Sequence, residues 1–336
     1  VSAPANRSGA VTRDARGATP SDDASITPLS PTRRRGRSLL IKLAAVVIGA
    51  VAPLLVLEAA VRTFAVDPGM FAWVSSGTCI DHSALLGDEF RPLCIGRLSE
   101  TDFSTNSLGL RGPEVADDGA HRILAIGDSC TWGWRVSQDE SYPAVLNHLL
   151  DGWETKRRYT VINAGVPGYT SYQGLLYFRE RGILLHPEVV IIGFGFNDAT
   201  LDGDVRDRIA RQQRILPFIR LDEGLARHST LYRWMRYQTY RPPVSDHIER
   251  VDVEEYERNV SALVQLVQEA HSQAVLVDFL SFISPYRAAE ESVANRFGIP
   301  LVHYRGPHLD VVHPTAEGYQ LFARALFGRL IQENYL

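Results

Sequence analysis

The sequence has little excess charge of either sign. Lys and Arg number 35 against 39 Asp and Glu, for a formal net charge of -4. No basic stripe interleaves with aromatic residues, so nothing supports a nucleic-acid partner. There is no internal repeat and no sustained heptad, which excludes a solenoid and a coiled coil. There is no His-Glu-x-x-His pair, and no apolar run is followed by Gly-Lys-Ser or Gly-Lys-Thr. Those absences argue against a zinc protease and a phosphate-binding loop. "GFGFND" lacks the third glycine of a dinucleotide fingerprint. Cysteine is scarce, with three residues in 336, and none stands near the apolar run as a lipid-attachment site. The remaining composition, 45% apolar and 22% charged, is that of a globular chain.

What is present changes along the chain. Residues 1–38 are rich in Ala, Ser, Thr, Pro, Arg and Gly. They have too little apolar surface to offset the entropy of ordering, and a disordered basic tail is expected. Arg33, Arg34, Arg35 and Arg37 close it, and "SLLIKLAAVVIGAVAPLLVLEAAVRTF" comes next. Residues 43–57 carry no charge and no polar face, while Lys42 and Glu58 can snorkel. Residues 39–61 are therefore expected to cross a bilayer. A cleaved signal peptide fits less well, because the polar stretch before it is long and no small-residue cleavage site comes after it. The arginines before the span, against Arg62 just after it, predict a cytoplasmic N-terminus, with everything from about residue 65 onward outside. Residues 62–121 read as a juxtamembrane lead-in. In an oxidising compartment Cys79 and Cys94 could bridge across "CIDHSALLGDEFRPLC"; two free thiols are the other reading.

From residue 122 short apolar runs alternate with helical patterns. "RILAIGDS", "YTVINAGV", "EVVIIGFGFND", "AVLVDFL" and "IPLVHY" read as strands buried on both faces. The alternation predicts an α/β domain over residues 122–336, a flavodoxin-like three-layer α/β/α arrangement with a five-stranded parallel sheet. Ligands of such sheets bind beyond the carboxyl ends of the strands. Ser129, Gly165, Asn197 and the pair Asp310 and His313 all fall at such ends. Each is bland alone, since a serine after a strand is commonly a helix cap and Asn-Asp a turn. Together they match one chemistry. A serine hydroxyl needs a base, which His313 can be. Asp310 can hold the imidazole tautomer. Attack on an ester carbonyl creates an oxyanion, for which the N–H groups of Ser129 and Gly165 and the Asn197 side chain are suitable donors.

"GDSCTWG", "NAGVPGYTS", "GFND" and "DVVHP" occur in order, and together they resemble the four blocks of the SGNH hydrolases, the GDSL-type esterases. The resemblance implies Ser129 as nucleophile, His313 as base, Asp310 as its orienter, and Ser129, Gly165 and Asn197 around the oxyanion, with no cofactor. It implies a small-molecule, lipid or glycan ester as substrate. Cys130 departs from the family's usual apolar residue and reads as structural. Asp128 reads as a brace for the nucleophile turn and Asp198 as a cap for the segment after it. "NSLGLRGPE" resembles a segment preceding the first block in membrane-anchored bacterial members. Its Arg111 could be a substrate contact or an ion-pair partner.

Competing readings remain at this point. His303, His308 and His313 recur at fives with Asp310 among them, but Gly306 and Pro307 break any common face, so no metal is expected. Transfer of an acyl group to a polysaccharide hydroxyl would use the same residues as hydrolysis. A non-catalytic envelope-binding module is disfavoured by the intact catalytic positions. Residues 199–249 read as an insertion starting at the catalytic edge. Its Tyr232, Trp234, Tyr237 and Tyr240 are either its own small core or a wall of the substrate site.

Overall fold

The computed structural model describes residues 32–64, 79–83, 85–99, 101–153, 157–201, 207, 225, 229, 231, 232, 235, 248–279 and 284–336. The chain divides into two compact units, Val1–Leu55 and Val56–Leu336. Helix α1, Thr32–Phe64, crosses that division and holds Pro53. Its stretch Ile41–Val61 spans 21 residues at a mean hydropathy of 2.3, long and apolar enough to cross a membrane. The helix begins before residue 39, so the basic end of the expected tail is helical. Arginine is a good helix former, and no proline interrupts this stretch. The rest of the expected tail lies outside the described residues.

The second unit opens with two hairpins. β1 (Ile80–Ser83) pairs antiparallel with β2 (Gly87–Phe90), and β3 (Ile95–Leu98) with β4 (Thr101–Ser104). Cys79 and Cys94 are joined by a disulfide with Cα atoms 5.7 Å apart. Phe90 and Phe103 pack against Trp132, the first stacked at 4.1 Å and the second edge-on at 5.2 Å.

The main sheet is parallel, with strands β5 (His121–Gly127), β6 (Tyr159–Gly165), β7 (Val189–Gly193), β8 (Gln273–Asp278) and β9 (Leu301–His303) in the order β6-β5-β7-β8-β9. Alternation along each strand sends side chains to opposite faces. Leu124, Ile126, Val190, Ile192 and Leu276 meet α4 (Ser171–Glu180), α5 (Val253–Glu269) and α6 (Ser284–Phe297) on one side. Ile123, Ala125, Ile191, Val275 and Val277 meet α3 (Tyr142–Asp151) and α7 (Ala316–Gln332) on the other. The helix starts are set by local sequence. The Asp252 carboxylate accepts the Glu255 N–H at 2.7 Å and opens α5; Thr315 Oγ1 accepts the Gly318 N–H at 3.0 Å and opens α7. Each such cap contributes about 1 kcal/mol. The order reverses around β5, since β6 lies on one side and β7 on the other. A crevice forms at such a reversal, beyond the carboxyl ends of the strands.

Candidate active site

Gly127 ends β5, and the chain turns at once into the short helix α2, Ser129–Trp132. Asp128 caps that helix. Its Oδ1 accepts the Cys130 N–H at 2.8 Å, and its Oδ2 accepts from Asn197 Nδ2 at 3.3 Å. Asp128 thus braces the turn and ties the loop after β7 to it. Burial pushes its carboxyl up to about 7, against the pull of the Cys130 N–H.

Ser129 Oγ lies 2.8 Å from His313 Nε2. His313 Nδ1 lies 2.8 and 2.9 Å from the two oxygens of Asp310. Asp310 also accepts the N–H groups of Val312 and His313, both at 3.0 Å. The loop after β9 therefore delivers an imidazole whose orientation is fixed at both nitrogens. Burial lowers the His313 pKa, opposed by Asp310. Burial works to raise the Asp310 carboxyl, but the His313 N–H and imidazole outweigh it and hold it below the usual value. At neutral pH the chain is hydroxyl, neutral imidazole and carboxylate, a state in which the hydroxyl proton has somewhere to go. The Trp134 ring stacks on His313 at 5.4 Å. Sequence reasoning had no signal for that contact, because Trp134 stands in a loop with no periodicity.

Cys130 is buried and free. Burial raises its thiol well above the ordinary value, and its Sγ lies 3.7 Å from the Val312 carbonyl. It packs beneath the loop that carries His313.

The oxyanion donors need one correction. The Gly165 N–H donates to Asn163 Oδ1 at 3.0 Å, so it is already spent. Gly165 serves close packing instead: a Cβ there would stand 2.3 Å from the Trp132 nitrogen. Gly168, three residues on, has φ +85 and open space around it. Its N–H has no acceptor among the described residues, and the same is true of the Ser129 N–H. The Gly168 carbonyl is held by Arg250 Nη1 at 2.8 Å, and Arg250 also grips Asp207 at 2.9 and 3.1 Å. Asn197 Nδ2 donates to the Tyr169 carbonyl at 3.0 Å, which sets the Asn197 amide beside the Gly168 loop.

Asp198 caps a helix that precedes it in the chain rather than the segment after it. It is buried and accepts the Ser171 N–H at 2.9 Å and its hydroxyl at 2.6 Å, at the start of α4. Burial pushes its carboxyl up to about 7. Arg111 is buried and forms no ion pair among the described residues; its guanidinium lies on backbone carbonyls. His303 meets Asp278 at 2.7 Å and His308 meets the Tyr304 ring. No group of three metal-binding side chains forms among the described residues. Of the insertion's aromatics, Trp234, Tyr237 and Tyr240 lie outside the described residues.

Comparison with known proteins joins these observations. Over 79 residues the chain is 37% identical to thioesterase 1/protease 1/lysophospholipase L1 of Escherichia coli (strain K12), a match covering 24% of this chain and 36% of that protein. Over 84 residues it is 30% identical to an arylesterase of Vibrio mimicus, covering 25% of this chain and 41% of the relative. The matches thus span well under two thirds of these curated relatives. A solved variant of an acetyl-xylooligosaccharide esterase from Geobacillus Stearmophilus is 20% identical, covering 64% of this chain and 96% of that one with a TM-score of 0.43. The model of the GDSL-like lipase/acylhydrolase family matches residues 125–321, a span that takes in Ser129, Asn197, Asp310 and His313, and the chain belongs to that family.

Proposed function

We propose that this protein is a serine esterase that hydrolyses carboxylic esters. The observation that carries the reading is the 2.8 Å contact of Ser129 Oγ with an imidazole whose other nitrogen meets Asp310. His313 Nε2 takes the Ser129 proton as Oγ attacks the ester carbonyl. The carbonyl π electrons move to oxygen, and the Ser129 and Gly168 N–H groups receive the oxyanion, joined by an Asn197 N–H that leaves its 3.3 Å contact with Asp128. The bond to the alcohol then breaks, and the imidazolium gives its proton to the leaving oxygen. Water repeats the cycle on the acyl-enzyme, with His313 as base. Asp310 holds the tautomer and stabilises the imidazolium without taking the proton.

Relatives named as a thioesterase, a lysophospholipase and an arylesterase support an acyl ester substrate. Helix α1 acts as a single-pass anchor, with Arg33, Arg34, Arg35 and Arg37 on the cytoplasmic side and the hydrolase domain outside. In that setting the substrates are lipid or glycan esters of the cell envelope. Hydrolysis of p-nitrophenyl acetate by wild type, Ser129→Ala and Cys130→Ala tests the reading, with and without an oligosaccharide acceptor. Loss in the first variant and survival in the second is the expected result. Equal loss in both would reject it. Acetate appearing on the oligosaccharide at the expense of free acetate would make the enzyme a transferase.

A further inference from the structure

Arg111, in the "NSLGLRG" stretch, is the only buried arginine or lysine among the described residues, at 3% exposure. No carboxylate lies within ion-pair distance of it among those residues. Its Nη1 donates to the carbonyls of Trp132 (2.7 Å) and Gly133 (2.8 Å), and its Nη2 to that of Val136 (2.9 Å). The guanidinium also lies 5.0 Å over the Trp132 ring. Burial lowers its pKa to about 10, so it stays charged at neutral pH. Asp139 attracts it only from beyond ion-pair distance; a buried charge without a direct carboxylate partner is expensive, and an apolar side chain would pack more cheaply. What the guanidinium supplies is a fork of donors with fixed geometry.

The carbonyls it holds belong to the loop immediately after the nucleophile. That loop in turn holds Ser129: the N–H groups of Gly133 and Trp134 donate to the Ser129 carbonyl at 3.0 and 3.1 Å. The same loop carries Trp134 against His313. On its other side Arg111 is fixed by isolated bridges to Thr105 and to Asn163 of β6. The hairpin segment before the catalytic domain thus reaches the reacting serine through one side chain.

We infer that Arg111 is a positioning residue for the hydrolysis proposed above, setting the Ser129 turn and the Trp134 ring by clamping residues 132–136. The inference rests on that reading. Arg111 acts on rate, because a small displacement of the nucleophile removes near-attack geometry without removing the binding surface.

The test uses the full chain in detergent, with Arg111→Lys, Arg111→Ala and Ser129→Ala variants. Turnover of p-nitrophenyl acetate, labelling by a fluorophosphonate and thermal unfolding are read on each. Lysine keeps the charge but cannot bridge the three carbonyls, so kcat and the labelling rate are expected to fall on the order of 10²-fold with KM unchanged and the protein folded. Added guanidinium at millimolar concentration is expected to restore part of the kcat of Arg111→Ala. Wild-type kcat in Arg111→Lys would overturn the inference. So would a loss matching the unfolded fraction, or failure of both variants to fold, since Arg111 would then serve folding alone. Turnover surviving in Ser129→Ala would instead sink the esterase reading.

Discussion

At the scale of single residues, the two ionisable partners of Ser129 are tuned in compatible directions. His313 must be neutral to accept a proton and Asp310 ionised to orient it. Both have pKa values below their ordinary ones. The acid limb of kcat/KM is therefore expected below the usual histidine value of about 6.5, with activity held into mildly acidic buffer. A pH–rate profile checks this, and a midpoint above that value would contradict the assignment. Replacing Asp310 by Asn should lower kcat on the order of 10²- to 10⁴-fold by removing tautomer control, read by steady-state kinetics. Ser129, Asn197, Asp310 and His313 could be picked out in the sequence because each follows a strand and stands in one of the blocks "GDSCTWG", "GFND" and "DVVHP". Gly165 was misread as a donor for a local reason. Sequence spacing locates the strand end but not the direction of an N–H, and the Asn163 side chain captures this one. Gly168 carries a signal only as a glycine in a turn, and Trp134 carries none.

At the scale of elements, the strands of the catalytic domain were legible as continuous apolar runs and its long helices by their apolar periods. The hairpins of the lead-in were not. They are four-residue strands such as "GDEF" and "IGRL", with too few apolar positions to alternate. Their stability comes from the aromatic stack on Trp132 and from the Cys79–Cys94 bond. Closing a loop of that length contributes about 3 kcal/mol. Cys79→Ser with Cys94→Ser should lower stability by at most that amount, measured by urea unfolding. Because Trp132 also receives Arg111, activity should fall in the same variant. Gly165→Ala is expected to cost about 1–3 kcal/mol, since its methyl would meet backbone of α2. An unchanged melting temperature would show that β6 and α2 have room to part.

At the scale of the whole molecule, three buried carboxyls share one bias. Asp128, Asp198 and Glu290 all have raised pKa values, the first two to about 7, with burial the leading cause in each. Unfolded, each ionises near about 4. The folded chain thus binds more protons between those values, and its stability falls as pH rises through them. The melting temperature should be higher at pH 5 than at pH 8, and Asp198→Asn should flatten the difference. The span in α1 was legible as an unbroken apolar run long enough for a bilayer, whereas its orientation rests on charge bias alone. The central claim is that Ser129, and not its neighbour Cys130, is the group that becomes acylated. Its most direct test is peptide mapping by mass spectrometry after reaction of the full-length protein with a fluorophosphonate. A single phosphonyl adduct on Ser129 is expected, lost in His313→Ala and unaffected by thiol blocking. An adduct on any other residue, or labelling that persists without His313, would contradict it.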